Sequence, residues 1–542
     1  MTAAAFEVFD LTVEPWIPIV RHGVPAELSL TDTLLDADDI ELANTDPLEA
    51  VALLRHVLLP VYWRSQPPPR TGHEWRLRWT GAELRGSREL RSRYLREHRA
   101  RFELFGAEPF GQVASLRTQR GAVKSAAVLV LSMPMGNNVP LFDARTDDDP
   151  PALSPGQAAR ALLTLQCWDT AGLKSAANDD PRASAGKTYG NPTGPLGQFG
   201  AVVPLGRNLA ETLLLNTPVL PDGLNSADLP PWEKPPSTSQ PGTRAAIGPI
   251  DLLTWQARRV RLFPSIEPDG RTAVRHALVT RGDHLTEIPS EHEPHAMWSS
   301  TATAAGPRPI RHQLGRQLWR EAPALLATTK PTATGVRSSR LLTELAQHVV
   351  RRSIPLDTPI HVLAVGISYG SRLAVIDDAV SGTMPLPLTA LLDHSAARRT
   401  VLAIAAEADR LRLAVIAFAN DLRAAAGARP RPWEVGDDPG EALMFRLTVL
   451  AEQLLRLLQR RPECAQLALR LWRRQATQLG FEAAAAILDA APDRSCLGVV
   501  HPDAQPGRIA RRQNASNASQ WFHNVVTQLL ATDGPGDGER RG

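Results

Sequence analysis

Residues 366–370 read G-I-S-Y-G and have the G-x-S-x-G spacing that places a catalytic serine on the nucleophile elbow of a hydrolase. The apolar run HVLAV before them is typical of the strand that precedes such an elbow. An elbow continues directly into a helix, whereas the residues that follow, SRLAVIDDAV, alternate in polarity and predict a second strand. We therefore expect a β-hairpin, and a serine hydrolase that uses Ser368 stays open as an alternative function.

The tip of this predicted hairpin offers a different chemistry. Tyr369, Ser371 and Arg372 would lie at an exposed turn. An aromatic ring and a guanidinium at such a place can stack on nucleic-acid bases or insert between them. An ordinary surface turn is the alternative interpretation.

Two other segments carry weaker signals for catalysis. Residues 185–188, A-G-K-T, are similar to the end of a phosphate-binding loop, but Pro181 stands where that loop needs its first glycine. A group of histidines within 20 residues lacks the spacing of a standard metal motif. These histidines are His276, His284, His292 and His295. The pattern therefore predicts neither nucleotide hydrolysis nor a metal centre, and it implies no cofactor.

The overall charge limits how the chain could bind nucleic acid. It has 60 Lys and Arg against 57 Asp and Glu, a net charge of +3, so any such binding must be local. Three widely spaced cysteines predict reduced thiols. Because no apolar run approaches the ~18 residues of a membrane span and the N-terminus lacks a secretory pattern, we expect a cytoplasmic protein without a membrane partner.

The length of 542 residues exceeds the roughly 250–300 residues of a single core, which predicts at least two domains. Short alternating runs and turn residues fill much of the first part, and apolar residues at helical spacing dominate after it. We predict the α+β class: a mixed domain with long loops over residues 1–385, a four-helix bundle over 386–535 and a disordered tail over 536–542.

Three local predictions bear on function. Residues 46–62 have an acidic start and helical apolar spacing, which predicts a core helix. Residues 143–154 and 174–197 are rich in turn residues and predict long loops. Long loops in a compact domain are frequent sites of ligand contact, with plain surface loop as the alternative.

Several short motifs occur in an order that resembles one known family over nearly the whole chain. They are VEPWIPI at 13–19, EPFGQVA at 108–114, NVPLFD at 138–143, LAETLLLNT at 209–217, PPWEKP at 230–235 and TWQARRVRL at 254–262. With a C-terminal helical bundle after them, they resemble the CasA family, the large subunit of the type I-E CRISPR Cascade surveillance complex.

The resemblance implies a non-catalytic subunit of an RNA-guided antiviral complex. Such a subunit recognises the protospacer-adjacent motif in duplex DNA, promotes strand separation and recruits the helicase-nuclease, while guide pairing reads the remaining sequence. The implied partners are the 5′ handle of the CRISPR RNA, target duplex DNA, the helicase-nuclease and the other Cascade subunits, namely the backbone, the small subunit and the 5′-handle-binding subunit. A purely structural scaffold is a further alternative.

The resemblance also implies functional residues. A glycine-rich loop, a lysine finger and a glutamine wedge of the family would contact DNA, and a family loop with a phenylalanine would contact the RNA handle. The implied DNA contacts, together with the tip tyrosine, are Ala183, Ser184, Ala185, Gly186, Lys187, Arg281, Tyr369, Ser371, Arg372 and Leu373, and the implied RNA contacts are Asn138 and Phe142. This chain departs from the family pattern because arginine replaces the finger lysine and Arg372 or Leu373 stands in place of an amide wedge.

Overall fold

The computed structural model describes residues 8–43, 46–81, 84–119, 121, 123–133, 150–300, 306–429, 438–501 and 511–531. The chain divides into two compact units. Unit 1 takes in Met1–Gln313, Ala327–Ile354 and Ile360–Thr383, and unit 2 takes in Leu314–Leu326, Pro355–Pro359 and Met384–Gly542. The main division lies beside the predicted boundary at residue 385, but two short segments of unit 2 come from earlier in the chain. The predicted tail, 536–542, lies outside the described residues.

Helices and strands both contribute to the described residues, which confirms the predicted α+β class. The helices are α1 Leu30–Leu35, α2 Pro47–Leu53, α3 Leu59–Ser65, α4 Gly72–Trp79, α5 Leu84–His98, α6 Pro155–Trp168, α7 Leu209–Leu215, α8 Pro249–Leu253, α9 Ala322–Leu325, α10 Arg340–Val350, α11 Ala396–Ala425, α12 Glu441–Arg460, α13 Ala465–Asp489, α14 Arg494–Leu497 and α15 Ala515–Leu529.

The strands are short except for two long hairpins in the second half of unit 1. They are β1 Ile17–Arg21, β2 Val24–Leu28, β3 Ile40–Leu42, β4 Lys124–Ser125, β5 Gly172–Ser175, β6 Lys187–Asn191, β7 Ala201–Leu205, β8 Thr243–Arg244, β9 Arg258–Ile266, β10 Thr272–Arg281, β11 His284–Leu285, β12 Trp298–Ser299, β13 Arg308–Pro309, β14 Val336–Arg337, β15 Ile360–Tyr369, β16 Ile376–Leu386, β17 Val499–His501 and β18 Arg511–Gln513.

The predicted helix over 46–62 is confirmed and extends to Ser65. The Asp46 side chain accepts hydrogen bonds from the Leu48 and Glu49 amides and so caps the start of α2. A wider helical turn over Leu54–Leu58 separates α2 from α3. Pro60 lies just after this turn and lacks an N–H, so it cannot donate the regular main-chain bond at that point. The wider turn accommodates the missing donor without ending the helix.

A five-stranded sheet carries two of the predicted DNA contacts. β9 pairs along one edge of β10, while β4 and β5 pair with the same strand at other points, and β6 pairs with β5. The link between β10 and β5 is parallel and joins Thr280 to Ser175. The end of β10, where Arg281 lies, is therefore beside the end of β5.

A second sheet has the strand order β16, β15, β7, in which β7 is antiparallel to β15. Residues 360–386 thus form the hairpin that the alternating polarity predicted. β15 continues through Ser368 to Tyr369 and is followed by a turn and another strand. Because an elbow requires a helix directly after the serine, Ser368 does not lie on a nucleophile elbow.

The core of unit 1 is a continuous cluster of buried aliphatic and aromatic side chains, among them Trp16, Trp63, Trp168 and Phe199. Burial of α6 within this cluster fixes the position of its C-terminal end at Trp168. The α6 helix begins with a reciprocal cap, in which the Ser154 and Gln157 side chains each accept a main-chain N–H of the other residue. The fixed end of α6 matters because it leads directly into β5.

Within the described part of unit 2, long helices pack on one another: α11 contacts α12, α13 and α15. The residues with predicted helical spacing, among them Val401, Ile404 and Leu411, are buried on α11. Glu407 is also buried there and accepts hydrogen bonds from Trp472 and Arg473 on α13. Among the residues described, no helix combines the length and apolar character needed to cross a membrane.

Candidate nucleic-acid interface

Residues 183–187 form a tight turn between β5 and β6. The main chains of Ser184 and Lys187 exchange hydrogen bonds of 2.9 and 3.0 Å. Between them, Ala185 and Gly186 have φ values of 51° and 77°, the left-handed conformation that a type I′ turn requires of both central residues. Ser184, Ala185 and Lys187 are exposed. The region 174–197, predicted as a long loop, is therefore in part a β-hairpin with a solvent-exposed turn.

Arg281 does not extend into solvent. Its side chain is 6% exposed and donates two hydrogen bonds, of 2.5 and 2.8 Å, to the carboxylate of Asp180. Burial alone would raise the pKa of Asp180, but Arg281 and the main-chain N–H of Arg182 hold it below its ordinary value. In this structure Arg281 is not exposed for the DNA contact that the family resemblance implies, because its planar guanidinium is already matched to a buried carboxylate.

The tip of the β15–β16 hairpin is a compact turn. The Gly370 N–H donates to the Val375 oxygen at 2.9 Å, and the Leu373 N–H donates to the Gly370 oxygen at 2.9 Å. Arg372 and Leu373 have φ values of 53° and 58°, a conformation that costs non-glycine residues of order 1–2 kcal/mol each. Ser371 and Arg372 are exposed and Leu373 is half-buried. A strained turn thus presents one cation and part of one apolar side chain.

Tyr369 was predicted to lie at the exposed tip, and that expectation is wrong. Its ring packs against the core of unit 1, and its hydroxyl donates to the main-chain oxygen of Trp168 at 2.5 Å. The Arg311 guanidinium lies 5.9 Å from the ring centre. Burial raises the pKa of the phenol, so the hydroxyl stays a donor across the physiological range. Tyr369 anchors the hairpin to the end of α6.

The hairpin tip and the 183–187 turn belong to one connected region. The Ala171 N–H, just before β5, donates to the Leu373 oxygen at 2.8 Å. At the other end of β5, Ser175 pairs with Lys187, the last residue of the turn. A four-residue strand therefore links the tip to the turn. The structure brings together segments that lie almost 200 residues apart in the sequence.

A charged cluster fixes this linking strand. Asp169 accepts a hydrogen bond from the Arg258 guanidinium and, at 2.7 Å, one from the Lys174 ammonium. Burial lowers the pKa of Lys174 to about 8, and the attraction of Asp169 only partly opposes that shift. Lys174 also lines a pocket of about 250 Å³ beside the tip, together with Ala374 and Ile376. The base of the candidate interface is thus held by buried ion pairs.

Two exposed residues beside the turn were missed from the sequence. Tyr189 is 57% exposed and alternates with buried Thr188 on β6, so it lies on the same face as Lys187. Arg182 is exposed, and its guanidinium donates to the Tyr189 oxygen at 3.4 Å. The K-T-Y alternation was the available signal, but it is too short to distinguish a strand from a loop.

The other predicted positions give less information. Asn138 and Phe142 lie outside the described residues. Among the histidines, His276 is exposed, whereas His295 is buried and contacts Asn216 and Arg55. Within the part of the chain that the structure describes, no group of three or more His, Cys, Asp or Glu residues has the arrangement of a metal site.

Comparison with known proteins places this geometry in a family. The family model for CRISPR-associated protein Cse1 matches residues 10–483. A CRISPR-associated protein CasA/Cse1 from Thermus thermophilus is 35% identical over 274 residues, which are 49% of this chain and 51% of that protein. The matched segment thus spans about half the length of that curated relative.

Solved structures agree over a larger share of the chain. The crystal structure of Thermobifida fusca Cse1 is similar with a TM-score of 0.80 and 27% identity, covering 96% of this chain and 98% of that one. A chain of a CRISPR RNA-guided surveillance complex has the same fold, with a TM-score of 0.60 and 22% identity over 96% of this chain and 94% of that one. The chain therefore belongs to the Cse1 family, also called CasA, of CRISPR-associated proteins.

Proposed function

We propose that this chain is the non-catalytic large subunit of a type I-E Cascade complex. In this role it recognises the protospacer-adjacent motif in duplex DNA, promotes strand separation and recruits the helicase-nuclease. Membership of the Cse1 family supports the role, as does a fold shared with a chain of an RNA-guided surveillance complex. The partners we propose are the 5′ handle of the CRISPR RNA, through Asn138 and Phe142, and the other Cascade subunits.

One observation supports the DNA-contacting part of this proposal most strongly. The 183–187 turn and the hairpin tip, which the family resemblance assigns to DNA as two distinct elements, lie at the two ends of the same short strand, β5. A motif reader and a strand-separating wedge must act on adjacent base pairs, since melting begins next to the motif. Their attachment to one strand meets that requirement.

The exposed groups suit these two tasks. Ser184, Ala185 and Gly186 are small, so the main chain of the turn can approach a groove closely, and Lys187 can contact a phosphate or a minor-groove acceptor. At the tip, Arg372 and Leu373 can insert between base pairs, where unstacking a step costs about a few kcal/mol. Ser371 is small and exposed beside them. Base pairing with the guide then reads the rest of the target.

A reaction at Ser368 is not part of the proposal. The serine lies within a strand that continues into a hairpin, so neither the strained turn nor the following helix of an elbow is available to it. We expect Ser368→Ala to leave target binding unchanged, and the purified chain to release no product from an ester substrate. Ester turnover that disappears in Ser368→Ala would contradict a non-catalytic role.

The experiment that separates motif reading from strand opening uses two duplexes, one fully paired and one with mismatched base pairs already open next to the motif. The guide-loaded assembly is reconstituted with the native chain, with Lys187→Glu or with Arg372→Ala plus Leu373→Ala. The tip variant should bind the paired duplex weakly and the opened duplex normally, because opening is its task. Lys187→Glu should bind both weakly. Equal binding of both duplexes by every variant would overturn the proposal.

A further inference from the structure

Asp180 accepts several hydrogen bonds in the segment that leads into the 183–187 turn. Its carboxylate accepts two hydrogen bonds from Arg281 and one, of 2.9 Å, from the Arg182 N–H. Its main-chain oxygen accepts from the Ala183 N–H at 3.0 Å. The Asp180 side chain is fully buried. Asp180 therefore fixes the direction of the chain that enters the turn and attaches this part of the chain to β10.

Main-chain bonds also join the turn to β5, since the Ala176 N–H donates to the Gly186 oxygen at 3.0 Å and Ser175 pairs with Lys187. The Asn178 N–H donates to the Arg117 oxygen at 2.9 Å, and the Asp179 carboxylate accepts from the Ser239 hydroxyl at 2.6 Å. Between Asp180 and the first residue of β6, the described side chains are largely exposed. The path of the chain from Asp180 into the turn thus depends on the pairing of Asp180 with Arg281 at the end of β10, while β5 and β6 hold the far side of the turn.

We propose that Asp180 and Arg281 form an internal clamp that positions the 183–187 turn against DNA, and that Arg281 itself does not contact DNA. Both are then positioning residues. This inference rests on the proposed function, since it assumes that the turn meets DNA. It also assigns a role to Asp180, which the sequence did not single out.

The two possible roles of Arg281 predict opposite effects of removing Asp180. If Arg281 contacts DNA after leaving the pair, Asp180→Ala frees the guanidinium, and binding is unchanged or stronger while Arg281→Gln weakens it. If the pair is a clamp, either change releases the turn, so both weaken base discrimination alike. The double variant is then no worse than either single variant, because the two residues act through one bond.

The test measures dissociation constants of the guide-loaded assembly for matched duplexes that carry every combination of bases beside the target. The readout is the ratio of the dissociation constant for the weakest-binding flanking bases to that for the strongest-binding ones. We expect Asp180→Ala, Arg281→Gln and the double variant each to lower this ratio about tenfold, the order of one lost base contact. Arg281→Lys keeps a cation at this position and should therefore retain part of the native ratio. A gain or no change for Asp180→Ala would overturn the clamp.

The control is a similar ion pair at the far end of the same hairpin. Arg275 on β10 donates two hydrogen bonds, of 2.9 and 2.7 Å, to Glu267. Glu267→Gln should leave the ratio unchanged. A merely structural role for Asp180 would lower thermal stability or incorporation into the assembly but leave the ratio of the incorporated protein intact, which would also overturn the proposal.

A second measurement remains available if a variant incorporates poorly. Amide hydrogen exchange of the free chain should become faster at Ala183 and Lys187 in Asp180→Asn, with β9 and β10 unchanged. An equal change in exchange rate across the sheet and the turn would contradict the clamp. The Lys187→Glu variant tests the proposed function separately. If Lys187→Glu and the Asp180 variants all leave the motif dependence intact, the turn does not contact DNA, and it is the proposed function that has failed.

Discussion

The Tyr369 hydroxyl donates a hydrogen bond to the main-chain oxygen of Trp168 at 2.5 Å and so ties the β15–β16 hairpin to the end of α6. Trp168 is fully buried, and the chain after it leads through Ala171 into β5. The hairpin tip is therefore fixed relative to the strand that carries the 183–187 turn. In the proposed function, positioning of this kind holds two separate loops for contact with neighbouring base pairs.

Tyr369→Phe tests this anchor. The variant leaves the buried Trp168 oxygen without its donor, so the free energy of unfolding should fall by about 1–3 kcal/mol. Strand opening by the assembly should fall more than binding to a duplex that is already open. Chemical denaturation and 2-aminopurine fluorescence next to the motif measure the two effects. Equal loss on both duplexes would show that the tyrosine does not act through the tip.

Arg372→Gly should separate stability from function. Arg372 has φ 53°, a conformation that glycine adopts without strain, so the free energy of unfolding should stay level or rise by up to about 1 kcal/mol. Strand opening should nevertheless decrease, because the exposed cation is lost. Thermal unfolding measures the unchanged or raised stability, and base-opening fluorescence measures the decrease in strand opening. An opening rate equal to that of the native chain would remove Arg372 from the mechanism.

Lys187→Ala should reduce the salt dependence of target binding. A lysine that neutralises one phosphate contributes about −0.9 to the slope of log K against log salt, and that contribution should vanish. Lys330→Ala, an exposed lysine of unit 1 outside the candidate interface, is the matched control and should leave the slope unchanged. Indistinguishable slopes for the native chain and Lys187→Ala would mean that this lysine does not meet DNA.

Acid should destabilise unit 1 through a buried charge network. Burial and the neighbouring Arg55 lower the pKa of His295 to about 4, from an ordinary 6.5. Between these values the unfolded chain takes up a proton that the folded chain refuses, so stability is full above pH 6.5 and falls as the pH drops towards 4. The loss from this residue is about 3 kcal/mol.

The dependence can be measured by denaturation between pH 7 and pH 4. His295→Gln should be less stable at pH 7 because the bonds to Arg55 and Asn216 are weakened, but it should lose less stability on acidification. His56 and His348 also have lowered pKa values, so some pH dependence should remain. An unchanged slope in His295→Gln would show that its titration does not contribute.

Polarity patterns within a single stretch of sequence were enough to predict the helices and the hairpin that form from that stretch alone. Alternating polarity gave the β15–β16 hairpin, and helical spacing gave the helix from residue 46 and the long helices of unit 2. The β5–β6 hairpin escaped prediction, because its strands are short and its turn contains Ala185, where glycine or asparagine would be the usual signal.

Contacts between distant residues set the rest of the site. Arg281 and Asp180 are 101 residues apart, and nothing in either local sequence indicates that the arginine is neutralised. Tyr369 and Trp168 are 201 residues apart, and their contact leaves half-buried a tyrosine that the sequence placed at an exposed tip. Family resemblance indicated which segments to consider, but only tertiary packing distinguishes the exposed cations from the paired ones.

The most direct test of the central claim is the binding of matched duplex DNA by the guide-loaded assembly, with and without this chain, as the bases beside the target are varied. We predict that tight binding needs the chain and depends on those bases, and that the dependence is lost when the 183–187 turn is altered by Lys187→Glu. Equal binding without the chain, or binding that ignores the flanking bases, would contradict a motif-reading subunit.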